Sequence, residues 1–340
     1  MAPPVELGLI LSLTVRGLFI GSYEKMREAA QEAERMGFHS VWQCDHFFSV
    51  DPKAYAEISG KGDPDADESG ADESGAEAGP VTLPLLDSWV AISALARDTK
   101  TIRLGHLVNA VGYRPPALLG RMAATLDVIS GGRLEFGIGA GWLEPEYRAY
   151  GYPFPKPSER IEQLGEAVQL IRRMWTDPAP SFEGKHFRLE NAYCDPPPLQ
   201  KPSPPIWIGG EGDKLLRTAA LWADGFNARW WPPERFAERV PELREIRREA
   251  GGDPGSFRPS VMLMLIPEKD PAAAAAERKN FAVVPDTGVI AGDPETCVRR
   301  LSAYVDAGVR RLLLTIPDVD KKPHRLRLAG EEILPALAGL

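Results

Sequence analysis

Strand-length apolar runs alternate with helical periodicity from one end of this chain to the other, and that alternation restricts its fold more than any other feature. The runs fall at residues 5–15, 40–44, 102–108, 134–138, 206–208, 225–228, 259–266 and 311–316. Each is followed by at least one segment of helical periodicity. In the segment 158–175, Ile161, Leu164, Val168, Ile171 and Met174 recur at spacings of three and four. The helix expected over 22–36 stops at Gly37, the one over 115–129 opens with proline, and the one after Asp293 carries Pro294 at its first position. Strands alternating with helices read as a parallel sheet. Eight such units in 340 residues fit the α/β class and a (β/α)8 TIM barrel. An open doubly wound sheet is the alternative. It would place a glycine-rich phosphate turn after the first strand, where the chain reads Thr14-Val15-Arg16-Gly17-Leu18-Phe19. Residues 1–340 read as one barrel domain with two interruptions. One is an insertion over 50–83 after strand two. The other is an excursion over 176–204, between helix four and strand five, with a hairpin expected around 182–189.

The insertion carries most of the charge. Residues 51–80 hold nine acids and two bases, in a chain whose formal net charge is −8. They include the repeat Ala66-Asp67-Glu68-Ser69-Gly70 and Ala71-Asp72-Glu73-Ser74-Gly75. So few apolar side chains repay little of the entropy of ordering, which reads as a solvated loop. A lid over a site is the second reading, because the segment leaves the chain just after Asp45-His46. The remainder is near neutral and has no basic stripe, so nucleic-acid binding is not expected. The apolar run at 7–15 is broken by Ser12 and Thr14 and is too short to span a bilayer, and no membrane association is expected. Cys44, Cys194 and Cys297 are too few and scattered for a disulfide framework, which points to a reduced, cytoplasmic setting.

In such a barrel the chemistry sits on the loops after the carboxyl ends of the strands. Those positions hold Asp45-His46-Phe47, then His106-Leu107-Val108-Asn109, then Gly139-Ala140-Gly141-Trp142 with Glu144, Glu146 and Tyr147. They continue with Gly209-Gly210-Glu211-Gly212 and Asn227-Ala228-Arg229-Trp230-Trp231. Glycines before the helix at 214–222 allow an anion to approach free backbone N–H groups. Gly137-x-Gly139-x-Gly141 allows a backbone to approach a ring. Together these suggest a planar, phosphorylated cofactor. His46 is suited to moving one proton near neutral pH. The other histidines, His39, His106, His186 and His324, have no metal-ligand spacing, and no metal centre is expected. Trp230 and Trp231 read equally as rim packing or as a pocket wall, and Arg229 as a surface charge or an anion clamp for substrate.

Several ordered motifs carry a family resemblance. They are Ala33-Glu34-x-x-Gly37-Phe38-x-Ser40-Val41-Trp42 leading to Asp45-His46, Ile102-Arg103-Leu104-Gly105, and the block 117–154. That block contains Ala124-Thr125-Leu126-Asp127-x-Ile129-Ser130-Gly131-Gly132-Arg133-Leu134 and Glu146-Tyr147-Arg148-Ala149-Tyr150-Gly151. Pro205-Ile206-Trp207-Ile208-Gly209-Gly210 and Ala223-Asp224-Gly225 continue the pattern. The chain resembles the bacterial luciferase-like flavin-dependent oxidoreductases, and its 142–154 block and Asp45-His46 look more like the branch that uses the deazaflavin coenzyme F-420 than the flavin mononucleotide (FMN) monooxygenases.

The resemblance implies hydride transfer between coenzyme F-420 and a small organic substrate, with FMN as the alternative cofactor. It also implies a homodimer and, for the FMN case, a separate reductase. A non-catalytic flavin-binding barrel is a further alternative. By likeness, Asp45 and His46 lie beside the ring, with His46 as proton donor or acceptor. Leu107-Val108 matches a bulge where members hold a cis peptide. Asn109, Gly141, Tyr147, Gly209 and Gly210 would contact the tail and phosphate, with His106, Gly139, Ala140, Trp142 and Glu211 nearby and Arg229 and Trp230 toward substrate. Two departures stand out. Trp142 occupies the place of a glutamate found in the sugar-phosphate dehydrogenases of this branch, which disfavours a sugar phosphate. His106 replaces a small hydroxyl residue.

Overall fold

Eight parallel strands close into a ring in the computed structural model, which describes residues 4–12, 21–48, 85–282 and 284–339. Their carboxyl ends form one rim. Around the ring run β1 (Glu6–Ser12), β2 (Ser40–Gln43), β3 (Arg103–His106), β5 (Leu134–Gly139), β8 (Ile206–Gly209), β9 (Gly225–Arg229), β10 (Arg258–Pro267) and β12 (Arg311–Thr315). The pairing of β12 with β1, Glu6 opposite Arg311 through Ile10 opposite Thr315, closes the ring. The helices between them are α1 (Tyr23–Arg35), α2 (Ser88–Asp98), α3 (Pro116–Ser130), α5 (Pro157–Thr176), α6 (Asp213–Trp222), α7 (Pro233–Glu249), α8 (Pro271–Arg278) and α9 (Pro294–Asp306). Two short helices, α10 (Pro323–Leu328) and α11 (Leu334–Ala338), end the chain. Their boundaries follow local chemistry. Gly131 ends α3 in the left-handed region at φ 72°, and the Asp293 carboxylate caps α9 by accepting from Thr296 N at 2.8 Å.

The barrel expectation holds, and the structure refines it in four places. The run 102–108 is not one strand. It breaks after His106 at a cis Leu107–Val108 peptide and resumes as the two-residue β4 (Asn109–Ala110), which pairs with β5. A short helix, α4 (Glu144–Ala149), follows β5. An extra strand, β11 (Val289–Gly292), pairs with β10 outside the ring. The excursion does contain the expected hairpin, β6 (Phe182–Glu183) against β7 (Arg188–Leu189). It returns under the amino-terminal mouth, where Gln200 bonds Arg103, Asp127 and the Leu134 carbonyl. The acidic segment 50–83 and residues 13–15 of the first run lie outside the described residues.

The barrel interior is layered. At its amino-terminal end, Glu135 on β5 is buried with Arg311 on β12. Its carboxylate accepts from Arg311 at 2.6 Å, from Trp207 Nε1 at 2.6 Å and from Arg103. Arg311 also donates to Glu6 at 2.6 Å. Burial alone would raise the Glu135 pKa, yet the Arg311 and Arg103 charges pull it down to about 2. Above this layer lie Ile10, Trp42, Leu107, Trp207, Met262 and Leu313. A larger apolar shell between strands and helices holds Leu9, Ile92, Phe136, Ile171, Phe226 and Leu312. No helix among the described residues is long and apolar enough to cross a membrane.

Removing one partner of a buried ion cluster strands the others. Glu135→Leu is expected to lower unfolding free energy by about 3–5 kcal/mol, measured by urea denaturation. Replacing Arg311 with Met as well is expected to recover part of that loss, because fewer uncompensated charges then remain buried.

Candidate active site

The carboxyl rim gathers groups from the ends of six strands, β2, β3, β5, β8, β9 and β10. His46 follows β2. Its Nδ1 lies 2.7 Å from Glu146 Oε2 on α4, and its ring meets Trp142 edge-on at 6.0 Å and 77°. The hydrogen bond and ion pair of the His46 ring among the described residues both run through Nδ1, and Nε2 has no hydrogen-bond partner there. Glu146 is wholly buried and also accepts from Phe47 N at 2.7 Å, from Phe48 N at 3.3 Å and from the Tyr113 hydroxyl. Burial and the Glu146 charge both raise the Tyr113 pKa, so the phenol stays protonated and donates. The sequence places Glu146 at a strand end and in a motif without giving it a role, and it does not single out Tyr113. The contact between His46 and Glu146 spans 100 residues of chain, so no local pattern reveals it.

Asp45 sits next to His46 in the chain but is turned away from it. Its carboxylate accepts two bonds from Arg114, at 2.6 and 3.1 Å, and one from Ser88 Oγ at 2.8 Å. This ties the end of β2 to α2 and to the segment before α3. His106 lies on the helix side of β3, stacked on Trp89 at 4.3 Å and 25°. It is fully buried, and neither ring nitrogen reaches hydrogen-bond geometry. Asn109 is equally occupied. Its amide donates to the Gly137 carbonyl at 2.7 Å and accepts from Trp89 Nε1 at 2.7 Å. These three side chains brace the rim from behind.

The glycines have a specific task. A Cβ on Gly139 would come within 2.7 Å of Val108 and one on Gly209 within 2.9 Å, while one on Gly137 would collide with the His106 carbonyl. What approaches these glycines is the chain's own bulge. Val108 fits over β5 and β8 only because they are bare there, and this sets the cis peptide in the floor of the mouth. Gly141 adopts φ +77°, and a Cβ there would collide with Tyr147 Oη. Tyr147 is buried, its hydroxyl meets no hydrogen-bond partner of good geometry among the described residues, and burial raises its pKa to about 12.

Beyond β8, Gly210 (φ 142°) leads to Gly212, which precedes α6 without a side-chain cap. The first N–H groups of this helix are thus left for water or an anion. Glu211 lies 3.6 Å from Arg229, whose guanidinium covers the Trp230 ring at 4.9 Å. Ala140 is half-buried and Trp142 exposed at the rim. An apolar wall completes the mouth. Met264, Ile266, Phe281 and Val289 form a cluster, with half-buried Phe48 and Trp230 packed on it. Among the described residues no group of three or more His, Cys, Asp or Glu side chains could hold a metal ion.

Residues 9–285 match the family model described as luciferase-like monooxygenase, and the chain belongs to that family. The phthiodiolone/phenolphthiodiolone dimycocerosates ketoreductase of Mycobacterium tuberculosis is 30% identical over 253 residues, covering 71% of this chain. The match spans 60% of that ketoreductase's length. An F-420-dependent glucose-6-phosphate dehydrogenase of Microbacterium testaceum is 28% identical over 336 residues, covering 90% of each chain. A solved F-420-dependent secondary alcohol dehydrogenase shares the fold with a TM-score of 0.75, at 21% identity, covering 98% of this chain and 99% of that one.

The buried imidazole behind the rim gives a pH prediction. Burial lowers the His106 pKa from 6.5 to about 4. The unfolded chain therefore takes up this proton first, so the stabilisation is full above pH ~6.5 and is lost as pH falls toward 4. The loss is on the order of 3 kcal/mol, and His39, also lowered to about 4 mainly by burial, acts in the same direction. His106→Phe is expected to flatten this acid slope in melting temperatures recorded between neutral and mildly acidic pH.

Proposed function

We propose that this chain is a coenzyme F-420-dependent oxidoreductase that interconverts an apolar alcohol and its carbonyl compound, with His46 as general acid and base. The observation that carries this reading is the pose of His46. One ring nitrogen is anchored on a buried carboxylate, and the other has no hydrogen-bond partner among the described residues. The names of two relatives support the reaction class, one an F-420-dependent dehydrogenase and the other a ketoreductase.

The residues fit such a cofactor. A phosphate would meet the uncapped start of α6, where nothing lies within 4 Å of a Cβ position on Gly212. The residues that would hold a planar ring are those around the Leu107–Val108 bulge, namely Gly139, Ala140, Gly141 and Trp142 after β5 and Gly209, Gly210 and Glu211 after β8. When bound, the deazaflavin supplies a two-electron hydride exchange. The protein supplies orientation and the proton. In alcohol oxidation, His46 Nε2 would take the hydroxyl proton. In carbonyl reduction, Nε2 returns a proton to the oxygen. Trp142 stands beside the imidazole in an edge-to-face contact.

The wall of Phe48, Trp230, Met264 and Ile266 favours an apolar substrate. A sugar phosphate would bring two negative charges to a rim where Glu211 already offsets Arg229. The same reading includes a homodimer, supported by exposed Val90 and Leu118 on the neighbouring helices α2 and α3.

Titration with F-420 and with FMN, followed by cofactor fluorescence, tests the cofactor. F-420 is expected to bind in preference, and preference for FMN would overturn the proposal in favour of a two-component monooxygenase. With secondary alcohols as substrates, His46→Ala is expected to lower kcat about 10²–10⁴-fold while cofactor binding persists. Unchanged turnover would remove the role given to His46, and tight binding without any turnover would favour a non-catalytic barrel.

A further inference from the structure

The structure says more about how His46 is controlled. Three consecutive residues converge on one carboxylate. The His46 ring nitrogen Nδ1 and the Tyr113 hydroxyl meet Glu146 Oε2, while the backbone N–H groups of Phe47 and Phe48 meet Oε1. The two backbone groups can only donate. The Tyr113 phenol has the same role, since it is held by packing on Phe47 at 4.6 Å and on Tyr147 at 4.7 Å with its oxygen on the carboxylate. An ionised Glu146 accommodates all four neighbours as acceptor. A protonated one would have to place its own hydrogen on an oxygen already crowded by donors. No cation is paired with Glu146 among the described residues apart from His46 itself, so hydrogen-bond donors offset the burial of this charge.

From this geometry we infer that Glu146 is a positioning residue, held in place by Tyr113 and two backbone amides, which fixes His46 in the Nδ1–H tautomer and leaves Nε2 as the one ring atom able to exchange a proton with substrate. Because the same carboxylate binds the backbone just after His46, it sets both where the ring stands and which nitrogen carries the hydrogen. A neutral imidazole is otherwise free to choose between two tautomers. Only the Nδ1–H form presents a lone pair at Nε2 to accept an alcohol proton. The use of Nε2 in turnover rests on the function proposed above. The tautomer itself does not.

Nitrogen NMR of the cofactor-free protein with labelled histidine reads the tautomer directly. The His46 signals are identified by their loss in His46→Gln. The wild-type protein is expected to show His46 protonated at Nδ1 and bare at Nε2. Glu146→Gln keeps an oxygen for the Phe47 and Phe48 amides but turns an NH2 group toward Nδ1, and it is expected to switch the ring to Nε2–H. Tyr113→Phe, which retains the carboxylate, is expected to keep Nδ1–H. In turnover, Glu146→Gln is expected to lower kcat about 10²–10⁴-fold with KM and cofactor affinity unchanged.

A wild-type His46 found as Nε2–H, or a Glu146→Gln ring that stays Nδ1–H, would overturn the inference. The wild-type spectrum decides even if Glu146→Gln does not fold. Should F-420 fail to bind while His46 shows the Nδ1–H form, the cofactor reading falls and the role of Glu146 stands.

Discussion

A buried carboxylate at the amino-terminal end of the barrel holds the ring of strands together. Glu135 on β5 receives Arg103 from β3, Trp207 from β8 and Arg311 from β12, and Arg311 extends the link to Glu6 on β1. An unpaired charge this deep would be costly, so each partner has to be in place before the cluster is favourable. The partners come from strands far apart in sequence, and the requirement therefore acts on the closed barrel as a whole. The Arg311 guanidinium also lies 4.2 Å from the centre of the Trp207 ring, so the charge layer and the apolar layer above it share a surface.

With that end of the barrel filled, the opposite rim can be shaped for chemistry. Strand β3 breaks at this rim, and the break is accommodated by bare backbone on β5 and β8. Val108 fills the space that side chains on Gly139 and Gly209 would take. The rim is then braced from behind. Arg114 and Ser88 hold Asp45, Trp89 holds Asn109 and covers His106, and Glu146 holds His46. The result is an imidazole at the rim, supported by a carboxylate that solvent does not reach.

Much of this architecture is legible in the sequence because strands of a parallel barrel are covered on both faces and read as unbroken apolar runs. All eight ring strands follow from those runs. The elements that do not are short. The two residues of β4 and the six of α4 carry no periodicity to detect, and β11 lies outside the ring, so the eightfold rhythm is complete without it. His46 and Trp142 are legible because strand-end position and residue type both point to the rim. Asp45, His106 and Asn109 share that position, but side chains alternate across a strand and compete for partners. Arg114 claims Asp45, Trp89 stacks on His106, and the Gly137 carbonyl claims the Asn109 amide.

The amino-acid order by itself determined the class of fold and the rim on which a site would form. Both depend on local periodicity, which neighbouring residues fix among themselves through the pitch of a helix and the pleat of a strand. Only the folded chain decided which groups at that rim are committed and which are available. Glu146 and Tyr113 come to His46 across long stretches of sequence, and the glycines of β5 and β8 receive a side chain from β3. Such pairings are set by the closure of the barrel, which brings distant segments within hydrogen-bond reach, and no short-range pattern encodes a distance in space.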